Sequence, residues 1–241
     1  MDKYIKLPSI LLSVGFCGGG KTIAMQYTIK TLKAFDFVVV ISNTAQFNGD
    51  YGFLKDIGLD FRIYNGSQCN KVFKMIMHIQ EMATEKQRVC IVLDDILGSL
   101  SNSKTFLKLA STYRHFNISL FMTTQFVNAS MTYIRELANY VFVFDQRTDS
   151  SRKAIYQSYF GDCGTFTDFK RLFAGLKPYQ FFFIDRPGKK RFKMIVPYVP
   201  KTISPKPDEK PEKAVKLRFL TENDEKCEID EKTSFLSKFS H

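Results

Sequence analysis

The sequence predicts an α/β fold in which helices flank a mostly parallel sheet, followed by a β-hairpin and a flexible tail. Three observations carry this prediction. A glycine-rich loop joins a short apolar run to a segment with helical apolar spacing, and further apolar runs alternate with helical stretches. Near the carboxyl end, two aromatic-rich runs flank a Pro-Gly turn, and beyond it prolines interrupt alternating charges.

The first predicted unit is a strand, a loop and a helix. Residues 9–14 form an apolar run of strand length, and residues 23–32 carry apolar residues at helical spacing. Between them, residues 15–22 read GFCGGGKT and match the phosphate-loop (Walker A) pattern G-x-x-x-x-G-K-[ST], whose backbone N–H groups surround an anion. The predicted nucleotide-binding residues are Gly15, Cys17, Gly18, Gly19, Gly20, Lys21 and Thr22. We expect Lys21 at the β- and γ-phosphates of a triphosphate and Thr22 at Mg²⁺.

Further strands and helices follow at the spacing of an alternating chain. Because the apolar runs are nearly continuous and rich in β-branched residues, we expect strands that are buried on both faces. The predicted strands are residues 37–41, 88–93, 118–122 and 140–144, with residues 61–64 as a short additional candidate. The predicted helices are residues 67–86, 102–116, 127–138, 149–160 and 165–175.

The last two predicted strands, residues 180–184 and 192–196, enclose a turn with four basic residues. These residues are Arg186, Lys189, Lys190 and Arg191. The formal net charge is +11, yet residues 201–241 contribute none of it, because nine basic residues balance nine acidic ones there. Residues 151–200 hold ten basic and three acidic residues. This surplus favours a polyanionic partner such as nucleic acid, with a solubilising surface as the alternative.

The cysteines and the apolar runs indicate the redox state of the thiols and the location of the protein. The five cysteines are scattered without a C-x-x-C pair, and the three histidines form no ligand cluster with them. We therefore expect reduced thiols, no structural zinc and an intracellular protein. No apolar run has the length needed to cross a bilayer, so we expect no membrane span. The predicted domains are a P-loop domain over residues 1–199 and a charged, proline-containing tail over residues 200–241.

Acidic and amide side chains follow two of the predicted strands. Asp94 is expected to bind Mg²⁺ through water, and Asp95 to act as general base or to orient the attacking water. The alternative is that both acids cap the next helix. Gln125 follows the strand at residues 118–122. It is expected near the γ-phosphate if that strand lies between the strand before the phosphate loop and the strand before Asp94. The alternative is that its side chain hydrogen-bonds within a loop. Arg114 ends a helix, where arginine ordinarily complements the helix dipole.

Together, GFCGGGKT, CIVLDD, YRHFNISLFMTTQ and IRELANYVFVFD resemble the FtsK/HerA superfamily of DNA-pumping ATPases. Within it, the sequence is most similar to the small genome-packaging ATPases of large DNA viruses, poxvirus-like and virophage-like. The resemblance is strong over residues 7–145 and weak over residues 146–199. Many relatives have Glu where this chain has Asp95, so the geometry at that position differs.

The resemblance implies a RecA-like P-loop NTPase core of the ASCE type, with the acidic and glutamine strands adjacent and with ATP and Mg²⁺ as cofactors. It also implies a ring in which each subunit donates an arginine finger to the neighbouring nucleotide. By position Arg114 matches that finger, and Arg135 is the second candidate.

These expectations combine into a homo-oligomeric ring, a pentamer or hexamer, that hydrolyses ATP to translocate double-stranded DNA, with packaging of a viral genome as its task. The four basic turn residues are expected to contact DNA, and a capsid or portal-vertex protein is a further partner. The expected location is the host cytoplasm or a viral factory, or the virion. The alternatives are a small-molecule nucleotide kinase or GTPase, a replication-associated helicase, and a non-enzymatic scaffold. The D-x-x-G match at residues 95–98 favours a GTPase, but the sequence lacks the N-K-x-D motif that would bind guanine.

Overall fold

Eight strands form one sheet in the computed structural model, which describes residues 4–45, 51–125 and 132–195. The strands are β1 (Ile10–Val14), β2 (Phe37–Ser42), β3 (Asp60–Tyr64), β4 (Val89–Asp94), β5 (Ile118–Thr124), β6 (Tyr140–Val143), β7 (Gln180–Asp185) and β8 (Lys190–Ile195). Their order across the sheet is β3-β2-β4-β5-β1-β6-β7-β8. All neighbours from β3 to β6 pair in parallel, whereas β7 and β8 pair antiparallel. The predicted mostly parallel sheet with a terminal hairpin is therefore confirmed.

Helices connect these strands. They are α1 (Lys21–Leu32), α2 (Phe53–Asp56), α3 (Cys69–Met82), α4 (Leu97–Leu100), α5 (Lys104–Thr112), α6 (Thr132–Leu137), α7 (Asp149–Ile155) and α8 (Phe166–Ala174). A 3₁₀ turn (Gly66–Gln68) precedes α3, and a π-helical turn (Tyr156–Phe160) extends α7. Side-chain caps begin several helices: Thr148 accepts from an N–H of α7, and Thr165 forms a capping box with Asp168.

The core consists of two apolar layers, one on each face of the sheet. Successive residues of a strand point to opposite faces, so Ile10 and Leu12 lie in one layer and Leu11 lies in the other. Helices α3, α5 and α8 cover the first layer, and α1 covers part of the second. The central strands are buried on both sides, which explains their nearly continuous apolar sequences.

Phenylalanines join the antiparallel strands to the rest of the sheet. The ring of Phe142 on β6 lies 4.7 Å from that of Phe181 on β7, and Phe183 stacks on Phe192 of β8 at 5.9 Å. On the other face, Phe182 packs against Phe173 of α8 at 5.2 Å. Aromatic contacts of this kind contribute energy beyond the area they bury. They fix the hairpin to the parallel strands on both faces.

The predicted strands are all present, with boundaries that differ by one or two residues. The short helices α2 and α4 were not expected, because four residues are too few to show a helical period. Of the predicted helix at 127–138, residues 132–137 are helical, and residues 127–131 lie outside the described residues. The predicted tail, residues 200–241, lies outside them as well, so the division into a domain and a tail stays a prediction. No helix in the described ranges is long and apolar enough to cross a membrane.

Candidate active site

The glycine-rich loop connects β1 to α1 and has a backbone that other residues would strain. Gly18 and Gly20 have φ angles of 82° and 98°, in the left-handed region that favours glycine. A Cβ at Gly15 would overlap the Cβ of Phe144, so a side chain is excluded there as well. The Gly19 N–H donates to the carbonyl of Phe16 at 3.2 Å and tightens the loop.

Lys21 is the first residue of α1 and points back into the loop. It is only 7% exposed, and its Nζ donates to the carbonyl oxygens of Gly15 and Phe16 at 2.8 and 2.9 Å. Burial lowers the pKa of Lys21, while the charges of Asp95, Cys17 and Asp94 act to raise it. The ammonium group is therefore held at the loop in a poorly solvated position, where an anion is its natural partner.

Thr22 and Asp94 come together beside the loop. The Thr22 hydroxyl donates to Asp94 Oδ1 at 3.3 Å, and the Thr123 hydroxyl donates to the same oxygen at 2.6 Å. Tyr51, which is fully buried, donates its hydroxyl to Asp94 Oδ2 at 2.9 Å. Hydroxyl and carboxylate oxygens are the ligands that Mg²⁺ prefers, and Mg²⁺ takes its remaining ligands from phosphates and water. Thr22 and Asp94 thus fit a magnesium–triphosphate complex at the loop.

Asp95 lies next to this pair in an unusual backbone conformation. Its φ angle is 56°, in the left-handed region, which Asp tolerates better than most residues. Its N–H donates to the Thr123 hydroxyl at 2.9 Å, and its carboxylate accepts a hydrogen bond from Gln125 Nε2 at 2.6 Å. Helix α4 begins after Ile96 without a side-chain cap, so neither Asp94 nor Asp95 caps it.

Strand order explains why these residues meet. Strand β5 lies between β1 and β4, with Thr123 opposite Ser13 on one side and Asp94 on the other. The carboxyl ends of parallel strands lie at one edge of a sheet, so the loop after β1, the acids at the end of β4 and Gln125 after β5 converge there. This is the adjacency that the family resemblance implied, and it is confirmed.

Several residues at this site could not be predicted from the sequence. The Arg147 guanidinium lies over the ring of Phe16 at 4.9 Å, and the Tyr179 ring crowds Gly20. Tyr51 reaches Asp94 from the segment before α2. None of them belongs to a motif, and each comes from a distant part of the chain. Thr123 had a local signal, since it stands in the polar TTQ end of β5. Cys17 is exposed in the loop with a free thiol.

Arg114 lies at the edge of the sheet opposite to the phosphate loop of the same subunit. Its Nε donates to the Tyr113 hydroxyl at 2.8 Å, and that hydroxyl donates to Asn139 Oδ1 at 2.8 Å. The Asn139 N–H in turn donates to the carbonyl of Ile10, where β1 begins. Strand β1 has five residues, so its first and last residues are about 13 Å apart at ~3.3 Å per residue. Arg114 is exposed at the far end.

Arg135 and two of the four basic turn residues bind the protein's own acceptors. Arg135 Nη1 donates to Ser158 Oγ at 2.6 Å. Arg186 donates to three backbone carbonyls near the end of α6, and Arg191 forms a two-bond ion pair with Asp162. These contacts leave 36% of the Arg186 side chain and 35% of the Arg191 side chain exposed.

The DNA contact expected of these four residues stays a prediction, and the structure adds internal contacts for two of them. Arg186 and Arg191 are engaged within the protein, because backbone carbonyls and a carboxylate lie within reach of their guanidinium groups. Arg186, Lys189 and Lys190 are exposed, and Arg191 is half-buried.

Comparison with solved structures finds similar folds among nucleotide-hydrolysing proteins. The genome packaging NTPase B204 from Sulfolobus turreted icosahedral virus 2, in complex with ATP-gammaS, is 16% identical with a TM-score of 0.58, covering 78% of this chain and 98% of that chain. EssC (ATPases 2 and 3) from Geobacillus thermodenitrificans is 11% identical with a TM-score of 0.53, covering 73% of this chain and 37% of that chain. EccC (ATPases 2 and 3) from Thermomonospora curvata is 10% identical with a TM-score of 0.50, covering 80% of this chain and 37% of that chain.

No family model matches this sequence, and no curated protein sequence matches it. At the identities found, the likeness to solved structures establishes a shared fold. The P-loop NTPase fold that the sequence and its family resemblance predicted is confirmed.

Proposed function

We propose that this chain is an ATPase that uses the energy of ATP hydrolysis to move double-stranded DNA into a viral capsid. The observation that carries the proposal is the convergence of Lys21, the Thr22–Asp94 pair and the Gln125–Asp95 pair at one edge of the sheet. A triphosphate, a divalent cation and an attacking water are the three species that such a set of residues can hold.

Each group has a distinct task in the proposed reaction. The loop N–H groups and Lys21 bind the phosphates and offset their charge, and Thr22 and Asp94 would hold Mg²⁺. When bound, this ion supplies Lewis-acid stabilisation of the phosphate oxygens. Asp95 accepts a proton from the attacking water or orients it, and Gln125 fixes the direction of the Asp95 carboxylate through the 2.6 Å hydrogen bond. Tyr51 and Thr123 position Asp94 from two sides.

The DNA part of the proposal rests on charge and on structural likeness. The net charge of +11 lies entirely within the first 200 residues, and such a surplus attracts the phosphate backbone without regard to sequence. B204, whose fold this chain shares, is a genome-packaging NTPase. Arg114 is exposed at the edge of the sheet opposite to the phosphate loop of the same subunit. This arrangement supports a homo-oligomeric ring, a pentamer or hexamer, in which Arg114 serves the neighbouring subunit's nucleotide. A capsid or portal-vertex protein completes the proposed assembly within the infected cell.

One assay separates this proposal from its rivals. Purified full-length protein is supplied with ATP or GTP and Mg²⁺, with and without linear duplex DNA, and phosphate release is measured. We expect ATP turnover that duplex DNA stimulates several-fold. Transfer of phosphate to a nucleoside monophosphate would indicate a kinase, and preference for GTP without a DNA effect would indicate a GTPase. Nucleotide binding without turnover in either condition would indicate a scaffold and overturn the proposal.

A further inference from the structure

A cavity of about 190 Å³ lies between the π-helical turn and the β7–β8 hairpin. Its lining includes Ser158, Tyr159, Asp162, Ile184, Arg186 and Arg191. The Arg186 N–H donates to the carbonyl of Asn139, so the cavity lies near the amino edge of β6. The nucleotide loop lies at the other end of β6, where the Phe16 N–H donates to the carbonyl of Asp145. The cavity is thus separate from the candidate active site.

Two residues that line this cavity, Tyr159 and Arg191, carry buried hydrogen-bond donors without acceptors. Tyr159 is only 8% exposed, and its hydroxyl has no hydrogen-bond partner in the part of the chain that the structure describes. The Nε atom of Arg191 is also buried and lacks an acceptor among the same residues, as does that of Arg135, which contacts the lining residue Ser158. Buried donors are nearly always paired in proteins, because leaving them unpaired is costly. A donor set of this kind indicates a missing acceptor.

The charges around the cavity favour an anionic acceptor. Arg191 pairs with Asp162 at 2.7 Å, and Arg186 lies 3.5 Å from Glu136. Arg135 has no carboxylate partner within the described ranges, and its Nη1 donates to Ser158 beside the cavity. Three guanidinium groups at or beside the cavity therefore have two carboxylate partners among the described residues.

Tyr159 remains a donor in this setting. Burial raises its pKa well above the usual value, and the neighbouring charges of Arg135 and Arg186 only partly offset this effect. The phenol therefore keeps its proton at neutral pH. Guanidinium groups have no accepting atom, so Tyr159 and the arginines together offer donors to the cavity.

We propose that this cavity binds a phosphate group. A tetrahedral phosphate presents several oxygens at once, which suits donors that approach from the π-turn and from the hairpin. π-Helical turns interrupt regular helices and are frequent at functional sites, and here the turn is the element that brings Ser158 and Tyr159 to the cavity. The phosphate belongs either to the backbone of a polynucleotide or to a free phosphate or mononucleotide. The proposal stands independently of ATP hydrolysis by the loop.

Gly161 provides a sharp test, because it lines the cavity in an ordinary helical conformation with φ of −59°. A Cβ there would have its nearest heavy atom, the Tyr156 carbonyl oxygen, 4.0 Å away, so a side chain fits. Gly161→Asp places a negative charge at the cavity, and Gly161→Asn is the neutral control of the same size. A second pair is Tyr159→Phe, which removes the unpaired hydroxyl, and Tyr156→Phe, which removes a hydroxyl that donates outside the cavity to Gly164.

The measurement uses full-length protein with its loop saturated by a non-hydrolysable ATP analogue. Inorganic phosphate is titrated by calorimetry, and a short fluorescent DNA duplex is titrated by anisotropy. We expect one phosphate to bind, with affinity reduced about tenfold or more by Gly161→Asp and by Tyr159→Phe and unchanged in both controls. A parallel loss of duplex affinity identifies the polynucleotide backbone as the source, and unchanged duplex affinity identifies a free phosphate or mononucleotide.

The proposal is overturned if no phosphate binds while the loop is filled, or if both variants bind it as tightly as their controls. ATP turnover is measured separately on the unmodified protein. Absence of turnover would therefore count against the proposed function without affecting this result.

Discussion

At the residue scale, Lys21 shows how a motif predicts a position that only the fold makes meaningful. The motif places a lysine after the glycines, and the structure buries its ammonium group against two loop carbonyls. Without a bound anion those carbonyls are its partners. A triphosphate would offer stronger, charged acceptors at the same place.

We expect Lys21→Ala to reduce ATP turnover at least 10²-fold, roughly the effect of removing one donor that stabilises the transition state. Phosphate release reports turnover, and circular dichroism reports folding. Lys30→Ala is the matched control, because Lys30 lies exposed in the same helix and should leave turnover unchanged. A folded Lys21→Ala protein with near-normal turnover would refute the phosphate-loop assignment.

The two adjacent acids should behave differently when changed to amides. Asp94→Asn removes the one charged member of the Thr22–Asp94 pair at the proposed Mg²⁺ position, so turnover should require much higher Mg²⁺ concentrations. Asp95→Asn should bind ATP normally but hydrolyse it about 10²–10⁴-fold more slowly, because the group that handles the water proton is lost. Magnesium titration of turnover and equilibrium binding of a fluorescent ATP analogue distinguish the two. Full activity in both variants would contradict the assignment.

The sequence predicted the residues of local motifs and missed those that depend on long-range packing. Gly18 and Gly20 could be predicted because the constraint on them is local. Tyr51 and Tyr179 could not, since each meets the site only after the chain has folded. For Gln125, the position at a strand end could be predicted from the sequence. Its hydrogen bond to Asp95 could not, because it depends on β5 lying beside β4.

At the scale of elements, the buried strands were predictable and the turns were less so. A strand buried on both faces needs a run of apolar residues, which stands out in any sequence. The π-helical turn after α7 has no comparable signature, because one inserted residue leaves the apolar pattern almost unchanged. The internal contacts of the hairpin turn were hidden for a related reason. Composition counted four bases but could not show that Arg186 and Arg191 have acceptors within the protein.

Lys189 and Lys190, two exposed bases of the hairpin turn, give a prediction at this scale. Changing both to Glu should weaken duplex DNA binding about equally for all sequences and flatten its dependence on salt, because each lost phosphate contact reduces the salt slope by about one. Lys71→Glu with Lys74→Glu on α3 is the matched control, since both lysines are exposed on another element. Binding is measured by anisotropy over a salt series. An unchanged slope in the hairpin variant would mean that the turn is only solvated.

At the scale of the whole molecule, the sheet separates two groups of candidate functional residues. The nucleotide residues lie at the carboxyl edge of the parallel strands, whereas Arg114 and the hairpin turn lie at the amino edge. A subunit cannot bring Arg114 to its own loop without disrupting β1, which lies between them. If Arg114 acts in hydrolysis, it must act on a nucleotide held by another copy.

The test of this arrangement is the mixing of two inactive variants. Arg114→Ala should bind ATP normally but lose about 10³–10⁵-fold in turnover, as loss of an arginine finger does. Lys21→Ala lacks a working loop but keeps Arg114. In mixed assemblies, some intact loops of Arg114→Ala subunits would sit beside Lys21→Ala subunits, so activity should reappear with the mixing ratio. Arg171→Ala serves as control, because its side chain is 80% exposed and should be dispensable. Full activity of Arg114→Ala alone, without need of a partner, would make Arg114 a helix-end charge and direct the same test to Arg135.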